Sequence, residues 1–409
     1  MNQSALTLVA PVAKGKLDLL RAVLKNRQDD VKTALKSLGT VHYARFVIID
    51  EATAGNGDIF PAQLAFSSNF DGDVEQHIVD LSVKLSTNNL LDDIYNNCDG
   101  YAASDRVGYF KKVRHKEAAF YVGAPGRTLQ IIKQEKELRN YILNIIDKES
   151  WDGKSAQAIH QHIQKTVLAN PDFAWAKEKV KTPSIRWVGL ILFGLVLVAL
   201  LPVIILWAVY IQVFHERKDK PLGYTPNQVS DEQLNKMQKD EDFYFQNQFS
   251  QIIDMKPGKA RLITVNGLYL FARMLIKLAF IKGKLMGIPT IHFARWVMVN
   301  NSKRMLFFSN FDGSWTQYLG DFIDKSGWGL TGIFSNTVNF PRAFMLVFKG
   351  AYDEQKFLAW ARYTQIQTQI WYTDDTSQSI KNVNNNTKIR NELSQTLTEK
   401  EAKVFLARI

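Results

Sequence analysis

The run Thr40-Val-His-Tyr-Ala-Arg-Phe-Val47, followed by Ser68-Asn-Phe-Asp-Gly72, returns in the same order as Thr290-Ile-His-Phe-Ala-Arg-Trp-Val297 and Ser309-Asn-Phe-Asp-Gly313. A fixed order of motifs repeated at long spacing predicts two copies of one structural unit, and it says where to divide the chain. Upstream, Gln251-Ile-Ile-Asp-Met-Lys-Pro-Gly-Lys259 answers Leu8-Val-Ala-Pro-Val-Ala-Lys-Gly-Lys16. The length differences fall at Ala52–Ile59 and Asp99–Lys116, where loops absorb them.

Periodicity fills in each copy. The first reads as a strand from Leu6, a helix with Leu17, Leu20, Val23 and Leu24 on one face, and strands His42–Ile49 and Gln63–Ser68. A helix capped by Asp73 with Gln76 at its third position follows, then strands Leu91–Asn97 and Ala118–Val122 and a charged helix Arg127–Ile146. The second copy gives a helix from Lys259, strands His292–Val299 and Met305–Ser309, a helix capped by Ser314, strands Leu330–Ser335 and Ala343–Phe348, and a helix from Asp353. Strand-helix-strand taken twice is the ferredoxin-like pattern. The expected class is therefore α+β, with two ferredoxin-like repeats forming a pseudo-dimeric α/β barrel. The expected domains are a first lobe (1–150), a helical linker (151–185), a membrane segment (186–214), a polar linker (215–248), a second lobe (249–372) and a tail (373–409). In that tail, Tyr372–Asn386 reads as a polar loop and Lys388–Leu406 as a helix.

The membrane segment rests on Trp187 to Val213, which carries no charged residue. About 20 apolar residues suffice to cross the hydrocarbon core. Trp187, Trp207 and Tyr210 sit where interfacial aromatics belong, with Lys179, Lys181 and Arg186 before the run and Arg217, Lys218 and Lys220 after it. If the lobes pair they share one side of a bilayer, and Pro202 is expected to break the run into a re-entrant hairpin; a single span is the alternative. Between Asn2 and Lys16 only a short apolar stretch occurs, and no signal peptide is expected there. Bilayer lipid is the expected partner, at a bacterial inner membrane with cytoplasmic lobes.

The formal charge of +11 is unevenly spread, and Lys256 to Phe311 holds no acidic residue. The helix from Lys259 is apolar on most sides, with Arg261, Arg273, Lys277, Lys282 and Lys284 as its cations, which suits an interface with anionic lipid. No nucleic-acid motif accompanies the charge. The histidines show no zinc spacing, and the lone cysteine, Cys98, reads as an inert buried thiol.

Candidate site residues come from the repeated words. Strand alternation sets His42 and Arg45, and likewise His292 and Arg295, on opposite faces. Arg45 and Arg295 stand among apolar neighbours and need an anion, for which Asp71 and Asp312 are the expected partners. With Asn69 and Asn310 beside a helix start, these six residues are the ligand-binding candidates.

The two lobes resemble the ferredoxin-like α/β-barrel superfamily of dye-decolourising peroxidases, chlorite dismutases and small monooxygenases. The whole chain resembles uncharacterised bacterial membrane proteins that carry the same paired motifs. Asp71-Gly72 and Asp312-Gly313 are similar to the Asp-Gly of the peroxidases, whose aspartate assists peroxide cleavage, although Ser68 and Ser309 replace a glycine there. That resemblance implies haem held by a downstream histidine. None follows His292, so only Asp71, with His115, His160, His162 or His215, would serve. The leading expectation is a membrane-attached binder of a small amphiphilic or lipid-derived molecule; the others are a haem oxidoreductase and a scaffold for a partner enzyme.

Overall fold

The computed structural model describes residues 2–53, 58–220, 231–239, 241, 244–281 and 283–409. Its main strands are β1 (Gln3–Pro11), β2 (Val41–Ile49), β3 (Gln63–Asp71), β4 (Arg114–His115), β5 (Glu117–Val122), β6 (Gln246–Asp254), β7 (Ile291–Val299), β8 (Arg304–Asp312) and β9 (Thr368–Thr373). They form two antiparallel sheets, ordered β9-β2-β3-β1-β4 and β5-β7-β8-β6. Each sheet borrows an outer strand from the other half of the chain. Thr373 of β9 pairs with Tyr43 in the first sheet, and Val122 of β5 pairs with Phe293 in the second.

Alternation along these strands fills two layers at once. Leu6, Leu8, Phe46 and Phe66 face α1 (Leu17–Asn26), α2 (Gln28–Ser37), α3 (Val74–Lys84), α4 (Leu90–Tyr95) and α5 (Arg106–Lys112). Val9, Val47, Ile49 and Ala65 face the other way, onto Val297, Val299, Leu306 and Phe308 of the second sheet. The sheets thus pack against each other, and β2, β3 and β8 are buried along their whole length. Beside them, α6 (Leu129–Lys148) and α7 (Ala156–Ala169) form one apolar cluster with the C-terminal helices Ile380–Leu393 and Glu399–Leu406, through Leu138, Ile142, Ile163, Ile389 and Phe405.

Several expected elements differ. Leu91–Asn97 is not a strand: Leu90, Leu91, Ile94 and Tyr95 are buried as one face of helix α4, with Asp92 and Asp93 on its other side. Leu330–Ser335 lies at the end of a long helix, Trp315–Phe334, and in place of a strand Ala343–Phe348 there is a two-residue hairpin pairing of Ala343–Phe344 with Phe348–Lys349. The polar stretch Tyr372–Asn386 ends a strand and starts a buried helix, because its neighbours supply the apolar surface that the sequence window lacks.

The apolar run is one helix, α8 (Trp187–Phe214), that continues through Pro202. The expected hairpin does not form. A short helix, α9 (Asp231–Gln238), follows, and the flanks of α8 are fastened to the body beside α10 (Lys259–Leu278), which also buries Val265 and Tyr269 in the core of the second sheet. The helices Trp315–Phe334, Glu354–Thr364, Ile380–Leu393 and Glu399–Leu406 are α11 to α14.

Candidate functional site

The two histidines of the repeated motif sit at β-bulges. The register of β2 on β3 jumps between Val41 and Tyr43, and that of β7 on β8 jumps between Phe293 and Ile291. A bulge adds a residue and re-aims the side chains next to it. His42 and His292 therefore leave the faces that alternation assigned them and turn toward the opposite sheet. The His42 ring lies 5.4 Å from Phe293, and the His292 ring 5.3 Å from Tyr43.

Each imidazole is held by an aspartate at a strand end. His42 Nε2 lies 2.9 Å from Asp71 Oδ1, and His292 Nε2 lies 2.7 Å from Asp312 Oδ1. The second oxygen of each carboxylate accepts a helix N-terminal amide, from Leu129 at 2.6 Å and from Ile380 at 2.8 Å. The free amides and the positive end of each helix dipole hold the carboxylate in place there. A carboxylate is a pure acceptor, so Nε2 of each ring carries the proton and, in the neutral ring, Nδ1 is an acceptor. The glycine after each aspartate, with φ of +114° at Gly72 and +86° at Gly313, turns the chain out of the strand in a conformation that side chains rarely adopt.

Both imidazoles line one cleft between the sheets and the starts of α6 and α13. Its apolar walls include Leu129, Ile132, Phe293, Ile380 and Val383, and Gln3 and Gln246 lie at its polar edge. The glutamine side chains are already committed: Gln3 to Arg127 O and Gly126 N, Gln246 to Gln378 O and Thr373 Oγ1. Burial and the nearby Asp312 push the Tyr43 phenol well above its ordinary pKa, so it stays protonated. The cleft thus sets two carboxylate-held imidazoles against an apolar wall.

The six ligand-binding candidates fall differently from expectation. Asp71 and Asp312 hold the histidines, and the expected Arg–Asp pairs do not form. Arg45 instead crosses to the second sheet, where it bonds Phe249 O, Ser250 Oγ, Ser309 O and the Asn310 side chain. Arg295 crosses the other way, to Leu6 O, Thr7 Oγ1 and Ser68 O. Asn310 also donates to Asn69 Oδ1 at 3.3 Å. Four of the six therefore tie the sheets together. Burial pulls Arg45 down to about 9, helped by the like charge of Arg295, and burial pulls Arg295 down to about 10. His42 and His292 are the site residues that alternation missed. The repeated histidine was the available signal, and the bulge that re-aims it depends on pairing with another strand.

Of the expected membrane-interface residues, Arg273, Lys277, Lys284 and Trp187 are exposed. Trp207 is half-buried and donates to Thr264 Oγ1 at 3.0 Å. Arg261 is a correction: it is buried and paired with Asp219 at 2.8 Å, a carboxylate it shares with Lys256. Lys282 lies outside the described residues.

Haem does not fit these residues. Asp71 is engaged by His42 and Leu129, and His115, His160, His162 and His215 do not line the cleft. His160 packs on Phe405 in the helical layer, and His162 pairs with Glu149. Cys98 is buried, which pushes its thiol up to about 12. Among the described residues, no three His, Cys, Asp or Glu side chains cluster as a metal site. No protein-family model matches the chain, and neither curated proteins nor solved structures give a match.

Proposed function

We propose that the chain is a tandem duplication of a ferredoxin-like unit, closed into a pseudo-dimeric α/β barrel and attached to a bacterial inner membrane from the cytoplasmic side. It binds a small amphiphilic or lipid-derived molecule in the cleft between His42 and His292. The duplication is supported by equivalent sets of contacts, His42–Asp71–Leu129 and His292–Asp312–Ile380. Membrane attachment is supported by α8, whose 28 residues carry no charge, are apolar except for Gln212, and are mostly exposed.

One observation carries the ligand reading: two carboxylate-oriented imidazoles share a cleft with Leu129, Ile132, Ile380 and Val383. Such a site suits a hydroxyl or other hydrogen-bonding head group set beside a short apolar wall. The test is a native mass spectrum of protein extracted in mild detergent, followed by titration with fatty acids and fatty alcohols. An added mass, or saturable binding, should disappear in the His42→Leu, His292→Leu double variant with its circular dichroism unchanged. A bare chain mass and no binding from the panel would sink the proposal and favour a scaffold for a partner enzyme.

A further inference from the structure

We infer that α8 does not cross the bilayer. It lies along one leaflet, and with the outer side of α10 forms a flat docking face for an anionic lipid surface. This rests on the membrane attachment proposed above and adds its geometry.

The flanks of α8 are fastened to one body. Arg186, just before its start, donates its amide to Leu278 O at the far end of α10. Phe193 packs on Phe271, at 5.8 Å between ring centroids. Trp207 bonds Thr264, near the beginning of α10. Beyond it, Gln212 accepts the Met345 amide and the buried Glu216 accepts the Leu346 amide. The two helices thus run antiparallel, side by side.

Arg186 and Trp207 are about 32 Å apart along a helix rising 1.5 Å per residue, which is the thickness of the hydrocarbon core. If α8 crossed, these residues would sit in opposite headgroup layers. Leu278 and Thr264 would have to follow, which would put α10 across the bilayer as well. Exposed Arg273 lies about 7 Å inside the Leu278 end of that helix, and the buried side of the helix packs on the second sheet. Charged side chains at that depth are costly, and the sheet behind has no way to follow.

A helix lying in one leaflet avoids both problems, and the surroundings of α8 match it. Leu262, Ile263 and Leu270 on α10, and Phe344 and Phe348 on the hairpin beside the end of α8, are exposed. The apolar pocket lined by Phe271, Leu275 and Trp328 extends that surface inward. The exposed charges bordering the helix are largely cationic: Lys179, Lys181 and Arg186 at one end, Arg217, Lys218 and Lys220 at the other. Long cationic side chains bury their stems and keep their charges at the headgroups, which favours anionic lipid.

The test uses the full chain with Cys98→Ala, bound to vesicles of phosphatidylethanolamine and phosphatidylglycerol. Lys181→Cys and Lys218→Cys, on the two flanks, are treated singly with a membrane-impermeant thiol reagent added outside. Spin labels at Val188, Leu200 and Phe214 report depth. Both cysteines should react from outside, all three labels should sit at similar depth, and flotation should weaken when phosphatidylglycerol is omitted. A single reactive cysteine, with Leu200 much deeper than both ends, would overturn the in-plane helix and leave membrane attachment standing. Failure to float on either vesicle would overturn both.

Discussion

His77 shows how burial at one residue becomes a property of the whole protein. Its ring stacks on Phe70 at 3.6 Å and its Nε2 meets Ser68 Oγ at 2.9 Å, with almost no water contact. Burial pulls the imidazole down to about 3. Above pH 6.5 neither state binds the extra proton. Below it the unfolded chain takes up a proton that the folded chain refuses, so stability falls as the pH falls, down to about 3. The slope from this one group approaches about 1.4 kcal/mol per pH unit. His77→Phe keeps the stacking, so urea midpoints between pH 6.5 and 5 should decline less steeply than in the wild type. The two buried arginines follow other rules. Each faces backbone carbonyls and neutral side chains instead of a carboxylate, a pairing that the sequence did not suggest. Their apolar neighbours correctly signalled burial; which oxygens they reach depends on the opposite sheet.

At the scale of elements, the start of α6 does two jobs. Thr128 caps it by accepting the Ile131 amide, and its first amide holds Asp71. Thr128→Ala should cost about 1 kcal/mol. Asp71→Ala should cost more, about 2–3 kcal/mol, because His42 and Leu129 both lose a buried acceptor. Chemical denaturation of the two variants compares them directly, and equal costs would mean that the His–Asp contact adds nothing to stability. The caps at Asp73 and Ser314 were legible in sequence because a cap is a local arrangement. The segment Leu90–Tyr95 was misread for the opposite reason. Six residues with four buried apolar side chains satisfy a strand or a helix, and only packing under α1 separates the two.

For the whole molecule, the exchanged strands bind the two halves of the chain together. β5 belongs to the second sheet and β9 to the first, so neither half owns a complete sheet. Residues 1–150 expressed alone leave the outer side of β2 unpaired and expose the face built by Val9, Val47, Ile49 and Ala65. That fragment should be insoluble or unfolded by amide exchange, whereas co-expression with 246–409 should recover a soluble pair. Independent folding of 1–150 would mean that the exchange is dispensable. This arrangement also limits α8, because a body stitched through both halves cannot be split between two sides of a membrane.

The sequence by itself determined what depends on near neighbours: the repeated order of motifs, the main strands and capped helices, and a long apolar run with cationic flanks, though not that this run continues as one helix through Pro202. Periodicity, capping and hydrophobic length are all written within a few turns of chain. Tertiary structure decided which strand completes which sheet, where the bulges turn His42 and His292, and that the arginines tie the sheets while the aspartates hold histidines. Those outcomes depend on hydrogen bonds between residues tens to hundreds of positions apart, whose partners no local window contains.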